Sequence, residues 1–285
     1  MSTRYDIAVR AEALLGEGAT WDADAARLIW VDILGCRVHT YDPATGHRTV
    51  RTTGRHVGAA KPRAGGGLVL SLRDGVALLD PDGTFGWLHH DPVPGRRAND
   101  AAVAPDGSLW AGTMCDDETP GGATLTRHAP DGTAQVILPD VTVGNGAGWS
   151  PDGTLFYYVD TATRRVDVFD HDPDGEGAAR LRDRRTLTTI GTGFPDGLTV
   201  DADGCVWVAL WDGGAVHRYT PDGVLDRVLE VPAPRVTSCA FGGPGLRDLY
   251  LTTARTGLSR PTPLSGSVLV VRGAGQGLPQ PAFGG

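Results

Sequence analysis

Short runs of aliphatic, β-branched and aromatic residues alternate along the chain with clusters of Pro, Asp and Gly. No segment sustains the 3.6-residue period of an amphipathic helix. The apolar runs read as strands and the clusters as turns. Phe194–Leu210 shows the unit most clearly. Leu198 and Val200 alternate with polar neighbours, and Val206–Leu210 is a second, more continuously apolar strand. Asp203-Gly204 between them predicts a two-residue hairpin turn, because Gly takes a positive φ at no steric cost.

The unit recurs. Its most apolar strand appears as Leu28–Asp32, Gly67–Ser71, Ser108–Thr113, Leu155–Asp160, Val206–Ala209 and Asp248–Thr253. The central residues, Trp30, Val69, Trp110, Tyr158, Trp207 and Tyr250, follow one another at steps of 39 to 49 residues. A repeat of about 40–50 residues carrying only strand signals is the spacing of a four-stranded propeller blade. Further strands fit between these anchors, for example Val38–Asp42, Val76–Asp80, Val166–Asp170 and Ala215–Tyr219. Each is followed by a turn such as Pro81-Asp82-Gly83 or Pro221-Asp222-Gly223. Gly266–Val271 supplies a late strand to the sixth unit. The segment around Tyr5–Val9 is expected to complete that blade, closing the ring and removing exposed sheet edges. The predicted fold is all-β: a six-bladed β-propeller of four-stranded blades, forming one domain over residues 1–285.

Composition narrows the role. The 41 Gly and 20 Pro fall at the breaks between apolar runs, which marks turns rather than disorder. A formal net charge of −8 with interspersed signs argues against nucleic acid as a partner. No apolar run reaches the length of a membrane span, and Met1–Asp6 lacks the basic start and apolar core of a signal peptide. Cys36, Cys115, Cys205 and Cys239 form no CxxC pair and read as reduced thiols, so a cytoplasmic location is expected.

The candidate chemistry lies at one recurring position. Glu17, Asn99, Asn145, Asp196 and Ser238 precede their anchors by 11 to 13 residues, where the innermost strand of each unit begins. The second unit offers only Ala59 there. Singly, each is an ordinary turn residue. In a propeller, however, equivalent positions of the innermost strands converge at one end of the central channel. Two adjacent carboxylates repel unless a positive charge lies between them. Oxygen donors without His or Cys suit one hard divalent cation, with calcium, magnesium, manganese and zinc all admissible to some degree. Glu17, Asn145 and Asp196 would leave coordination positions open for water and substrate, as a catalytic site requires.

A set of motifs follows in order along the chain: Gly16-Glu17-Gly18-Ala19-Thr20-Trp21, Arg97-Ala98-Asn99-Asp100, Ala111-Gly112-Thr113-Met114, Asn145-Gly146 before Trp149-Ser150, Phe156–Asp160, Pro195-Asp196-Gly197 and Thr237–Gly243. Together they resemble, over nearly the whole chain, the senescence marker protein/regucalcin and gluconolactonase family of six-bladed propellers. The resemblance implies that Glu17, Asn145 and Asp196 bind a divalent metal and that Arg97 and Asn99 contact a sugar-like substrate. It implies a further acidic contact shortly after the Ala-Gly-Thr-Met motif. Asp117 is the best match, with Asp116 and Glu118 as competitors. The loop Cys115–Thr126 is short and is expected to border the site mouth. The implied activity is hydrolysis of a sugar lactone, an aldonolactone such as gluconolactone. Our choice of general base for the attacking water is Asp196.

Other readings stand beside it. A related propeller hydrolase could use the same metal on other esters or phosphoesters. A non-catalytic calcium-binding propeller could use it without turnover. No Gly-x-Ser-x-Gly nucleophile elbow is present. The eight His are dispersed, and His89-His90, adjacent on a strand, point to opposite faces. Asp170–Gly175 lacks the spacing of a calcium loop and reads as a turn.

Overall fold

The computed structural model describes residues 4–285. Its sheets are six in number, each of four antiparallel strands in an up-and-down order. The innermost strands, Gly16–Asp22, Val57–Pro62, Arg96–Val103, Gly144–Trp149, Phe194–Val200 and Val236–Gly242, come from blades 1 to 6. The second strands are Arg27–Asp32, Leu68–Leu72, Leu109–Cys115, Leu155–Asp160, Val206–Trp211 and Asp248–Thr253, and each carries one of the anchor residues. The sixth blade takes its outermost strand, Asp6–Val9, from the chain's start, where it pairs with Val268–Val271. The six-bladed propeller and its closure by the N-terminal strand are therefore as the sequence predicts.

Burial is graded from axis to rim. Gly16–Asp22 is buried throughout, whereas Arg48–Thr52, the outermost strand of the same blade, is exposed throughout. Six apolar clusters fill the six interfaces between neighbouring blades. The anchors lie in them: Trp30, Trp110, Trp207 and Tyr250 are at most 1% exposed, so the period seen in the sequence is the period of inter-blade packing. Where neighbouring inner strands approach most closely there is no room for a side chain. A Cβ on Gly58 would lie 2.0 Å from the Asn99 carbonyl oxygen, and one on Gly146 would lie 2.5 Å from the Leu198 nitrogen. Neighbouring inner strands meet there backbone to backbone, which only Gly allows.

The predicted two-residue turn at Asp203-Gly204 is longer. Asp201–Gly204 forms a four-residue turn, with Gly204 N–H donating to the Asp201 carbonyl and Gly204 at φ +79°. Asp201 Oδ1 also accepts the N–H groups of Asp203 and Cys205. The carboxylate thus stabilises a turn that ends in a left-handed Gly, and the tighter primed turn is not adopted.

A C-terminal segment crosses the face of the ring where the inner strands end. Ala202 N–H donates to Gln276, Gly277 N–H to Leu246, and Phe283 N–H to Pro62, while Gly284 N–H donates to Gly107. Phe283, fully buried, inserts between blades 2 and 3 against Val69, Val103 and Leu109.

Candidate active site

The inner strands begin at the opposite end of the channel, and their pairing with the second strands is irregular there in every blade. The register shifts lie between Glu17 and Thr20, Val57 and Ala59, Ala98 and Ala101, Gly144 and Ala147, Pro195 and Leu198, and Val236 and Ser238. A bulge of this kind re-aims a side chain that regular pleating would turn between the sheets. In blades 1, 3, 4 and 5 the re-aimed side chains are Glu17, Asn99, Asn145 and Asp196, each buried to within 5% exposure. All four line one cavity of about 250 Å³, with Arg97 and Glu118. Leu15, Met114, Val143, Thr161, Ala162, Phe194 and Trp211 complete its wall.

Ser238 lies deeper. It borders a second cavity of about 20 Å³ with Lys61, Asp100, Thr199 and Gln280 of the C-terminal segment. That volume is close to one water molecule. The buried Lys61 ammonium there donates to Thr20 Oγ1 at 2.7 Å.

Each polar side chain is oriented by its neighbours. Asn99 Nδ2 donates to the Gly144 carbonyl at 2.9 Å, and its Oδ1 accepts from Arg97 at 2.7 Å. Asn99 thereby fixes the Arg97 guanidinium, which also donates to the Ala98 carbonyl. Its neighbour Arg96 instead pairs with Asp91, at 3.8 Å. Asn145 Nδ2 donates to Thr161 Oγ1 at 3.0 Å, and that hydroxyl donates onward to the Pro195 carbonyl at 2.9 Å. With its NH₂ held, Asn145 turns Oδ1 inward.

Two aspartates at the ends of second strands hold the walls. Asp32 accepts the N–H groups of Leu14 and Leu15 at 3.1 and 3.0 Å. Asp160 does the same for Thr142 and Val143 at 3.0 and 2.9 Å. Both close the apolar anchor runs visible in the sequence, and their roles become legible only with the fold.

The electrostatics fit a bound cation. Asn145 Oδ1 and Asp196 Oδ1 are buried acceptors without a hydrogen-bond partner. Glu17 spends one oxygen on the Gly18 N–H. Burial pushes the Glu17 carboxyl well above its usual range, and the Asp196 and Asp100 carboxylates push it further. Asp196 is pushed up likewise, by burial first and then by Asp100. Buried, mutually repelling carboxylates beside an orphaned amide oxygen form a set of hard donors with a charge to balance. Among the described residues no three His, Cys, Asp or Glu side chains converge as a metal site. This set has two carboxylates, and its third donor is a carboxamide.

The acidic loop after Met114 resolves by placement. Asp116 pairs with Arg73, and Asp117 turns its Oδ1 back onto the Thr119 N–H and hydroxyl. Neither lines the cavity. Glu118 does, from a left-handed backbone position at φ +54°. Of the three acidic residues, Glu118 is the one that lines the cavity, and Asp117 is not brought to it. A turn with one residue at positive φ decides which of three successive acidic side chains faces inward, and nothing in their order reveals it. Phe194 and Trp211 also line the cavity, and the sequence does not single them out. They lie at the open end of a hairpin whose strand character was evident.

Residues 15–255 match the family model for the SMP-30/Gluconolactonase/LRE-like region. The chain belongs to this family. Among its relatives is a 6-deoxy-6-sulfogluconolactonase of Pseudomonas putida, 36% identical over 100% of both chains. A pentonolactonase of Haloferax volcanii is 39% identical over 84% of this chain and 81% of its own. The crystal structure of a calcium-binding protein, regucalcin, from Agrobacterium tumefaciens superposes with a TM-score of 0.93 at 28% identity, covering 99% of this chain and 98% of that one. No helix among the described residues is long and apolar enough to cross a membrane.

Proposed function

We infer that the protein is a hydrolase of carboxylic esters, specifically a divalent-metal-dependent lactonase opening an aldonolactone to its aldonic acid. The observation that carries this reading is the convergence, in one cavity, of Glu17, Asn145 and Asp196, with two unpartnered buried oxygens, and Arg97. The family's named sugar lactonases support it, and the calcium-binding relative supports the cation.

Glu17, Asn145 and Asp196 would hold the cation, which when bound would polarise a carbonyl and lower the pKa of a water. The chain's own residues do the rest. Asp196 takes the proton of the attacking water as its oxygen adds to the lactone carbonyl carbon. The ring C–O bond then breaks as the carbonyl re-forms, and the departing oxygen takes that proton from Asp196 to become a hydroxyl. Arg97, locked by Asn99, presents its remaining donors to substrate oxygens, and its rigid fork loses little freedom in binding. Glu118 at the rim accepts from a substrate hydroxyl. The apolar part of the wall limits competing water.

Asp196→Asn keeps the shape and an oxygen donor but removes the base. Proton release from a panel of five- and six-membered aldonolactones should fall by about 10²–10⁴-fold in this variant. Activity equal to that of the unsubstituted protein would remove Asp196 from the mechanism.

A further inference from the structure

Polar chemistry occupies only part of the cavity wall. Leu15, Val143, Ala162, Phe194 and Trp211 form an apolar arc. Phe194 and Trp211 are directly paired across the first rung of the blade 5 hairpin. Phe194 is 37% exposed, a large apolar side chain held at the mouth of a polar site.

Both rings are braced from outside the cavity. The Arg164 guanidinium lies 4.4 Å from the Phe194 ring centroid, and that of Arg235 lies 4.2 Å from the Trp211 centroid. Arg164 donates to the Gly193 carbonyl at 2.9 Å. Arg235 donates to Asp212 at 2.8 Å and to the Thr256 carbonyl. Neither arginine lines the cavity, so each stacks on its ring from behind and leaves the remaining ring surface to the cavity. Side chains held this way present apolar area at little further entropy cost.

The charge inventory of the wall points the same way. Glu17, Glu118 and Asp196 are acidic, and Arg97 is the one cation among the lining residues, already engaged by Asn99 and Ala98. With the remaining Arg97 donors given to the substrate's hydroxyls, an anionic exocyclic end laid against Phe194 and Trp211 would exchange its hydration for apolar ring surface, whereas an apolar end would find two braced rings.

We propose that Phe194 and Trp211 form a specificity wall for an uncharged lactone whose exocyclic end is apolar, a deoxy or alkyl substituent lying against the rings while its hydroxyls face Arg97 and Glu118. This rests on the lactonase reading and deepens it. It also separates this protein's substrate from the sulfonated lactone named for its Pseudomonas putida relative.

The test uses three lactones that share a galacto-configured five-membered ring and end in methyl (fuconolactone), hydroxymethyl (galactonolactone) or carboxylate (galactarolactone). The full-length protein, supplied with divalent cation, should show kcat/KM for the methyl compound about tenfold or more above the hydroxymethyl compound, the scale of discrimination available to an apolar pocket. The carboxylate compound should be the poorest. Trp211→Ala should raise KM for the methyl compound about tenfold with kcat changed less than about threefold, because the wall binds ground and transition states alike. Trp211→Phe should retain the preference. Phe194→Ala, at an exposed position, provides the same reading if Trp211→Ala does not fold.

A methyl preference absent from the unsubstituted protein, or undiminished in the alanine variants, overturns the proposal while leaving lactonase activity standing. Preference for the carboxylate compound also overturns it. No turnover of any lactone overturns the lactonase reading, and this inference with it.

Discussion

Thr161 has one hydroxyl proton, and the Pro195 carbonyl takes it. Its oxygen is left to accept from Asn145, which is how a residue outside the proposed ligand set decides which end of the carboxamide faces the channel. Thr161→Val preserves shape and removes both bonds. Calcium affinity, measured by calorimetry, should weaken about 10–100-fold, as when an orienting partner of a metal ligand is lost. Unchanged affinity would show that Asn145 needs no such partner.

The paired carboxyls make a pH prediction. Glu17 and Asp196 have folded pKa values raised above their ordinary 4.5 and 3.8. A raised carboxyl binds its proton more tightly in the folded state. Its contribution to stability is therefore present below the unfolded value and is lost as pH rises through the folded one. A cation needs both groups ionised and restores what their repulsion removes. The melting temperature of calcium-loaded protein minus that of stripped protein should thus grow as pH rises from the ordinary carboxyl range through the raised folded values. A difference independent of pH would contradict the shared-charge account.

At the scale of elements, the strands were legible because their signals are local. Trp30, Trp110 and Trp207 mark second strands, and the polar residues 11 to 13 positions earlier mark where inner strands start. The bulges that aim Glu17, Asn145 and Asp196 inward were not legible, because a register shift depends on the partner strand. Nor was Glu118, which owes its position to one left-handed residue. The C-terminal segment carries no strand pattern, yet it crosses from blades 5 and 6 to blades 2 and 3 and seats Phe283 at 0% exposure. Phe283→Ala should destabilise the protein by about 3–5 kcal/mol in denaturant unfolding, the usual cost of emptying an aromatic site in a core. A loss under about 1 kcal/mol would make the segment a loose appendage.

At the scale of the molecule, repetition does two things. Packing six similar blades around an axis buries each anchor between neighbours, and closure by Asp6–Val9 gives the last blade its fourth strand. The same repetition sets one polar position from each of four blades around a cavity at one end of the channel. The C-terminal segment covers the other end, where Gln280 borders the small cavity beside Lys61. The site is assembled by the ring as a whole, from residues as far apart as Glu17 and Asp196, so its chemistry depends on closure.

The most direct measurement is proton release from an aldonolactone panel by protein stripped of metal and then resupplied with calcium, magnesium, manganese or zinc in turn. The account predicts that turnover is lost on stripping and restored by at least one ion. Glu17→Gln should need a higher concentration of that ion. Full activity in the stripped protein would contradict the metal-dependent mechanism, and confirmed ion binding without turnover of any lactone would contradict the assignment of lactonase activity.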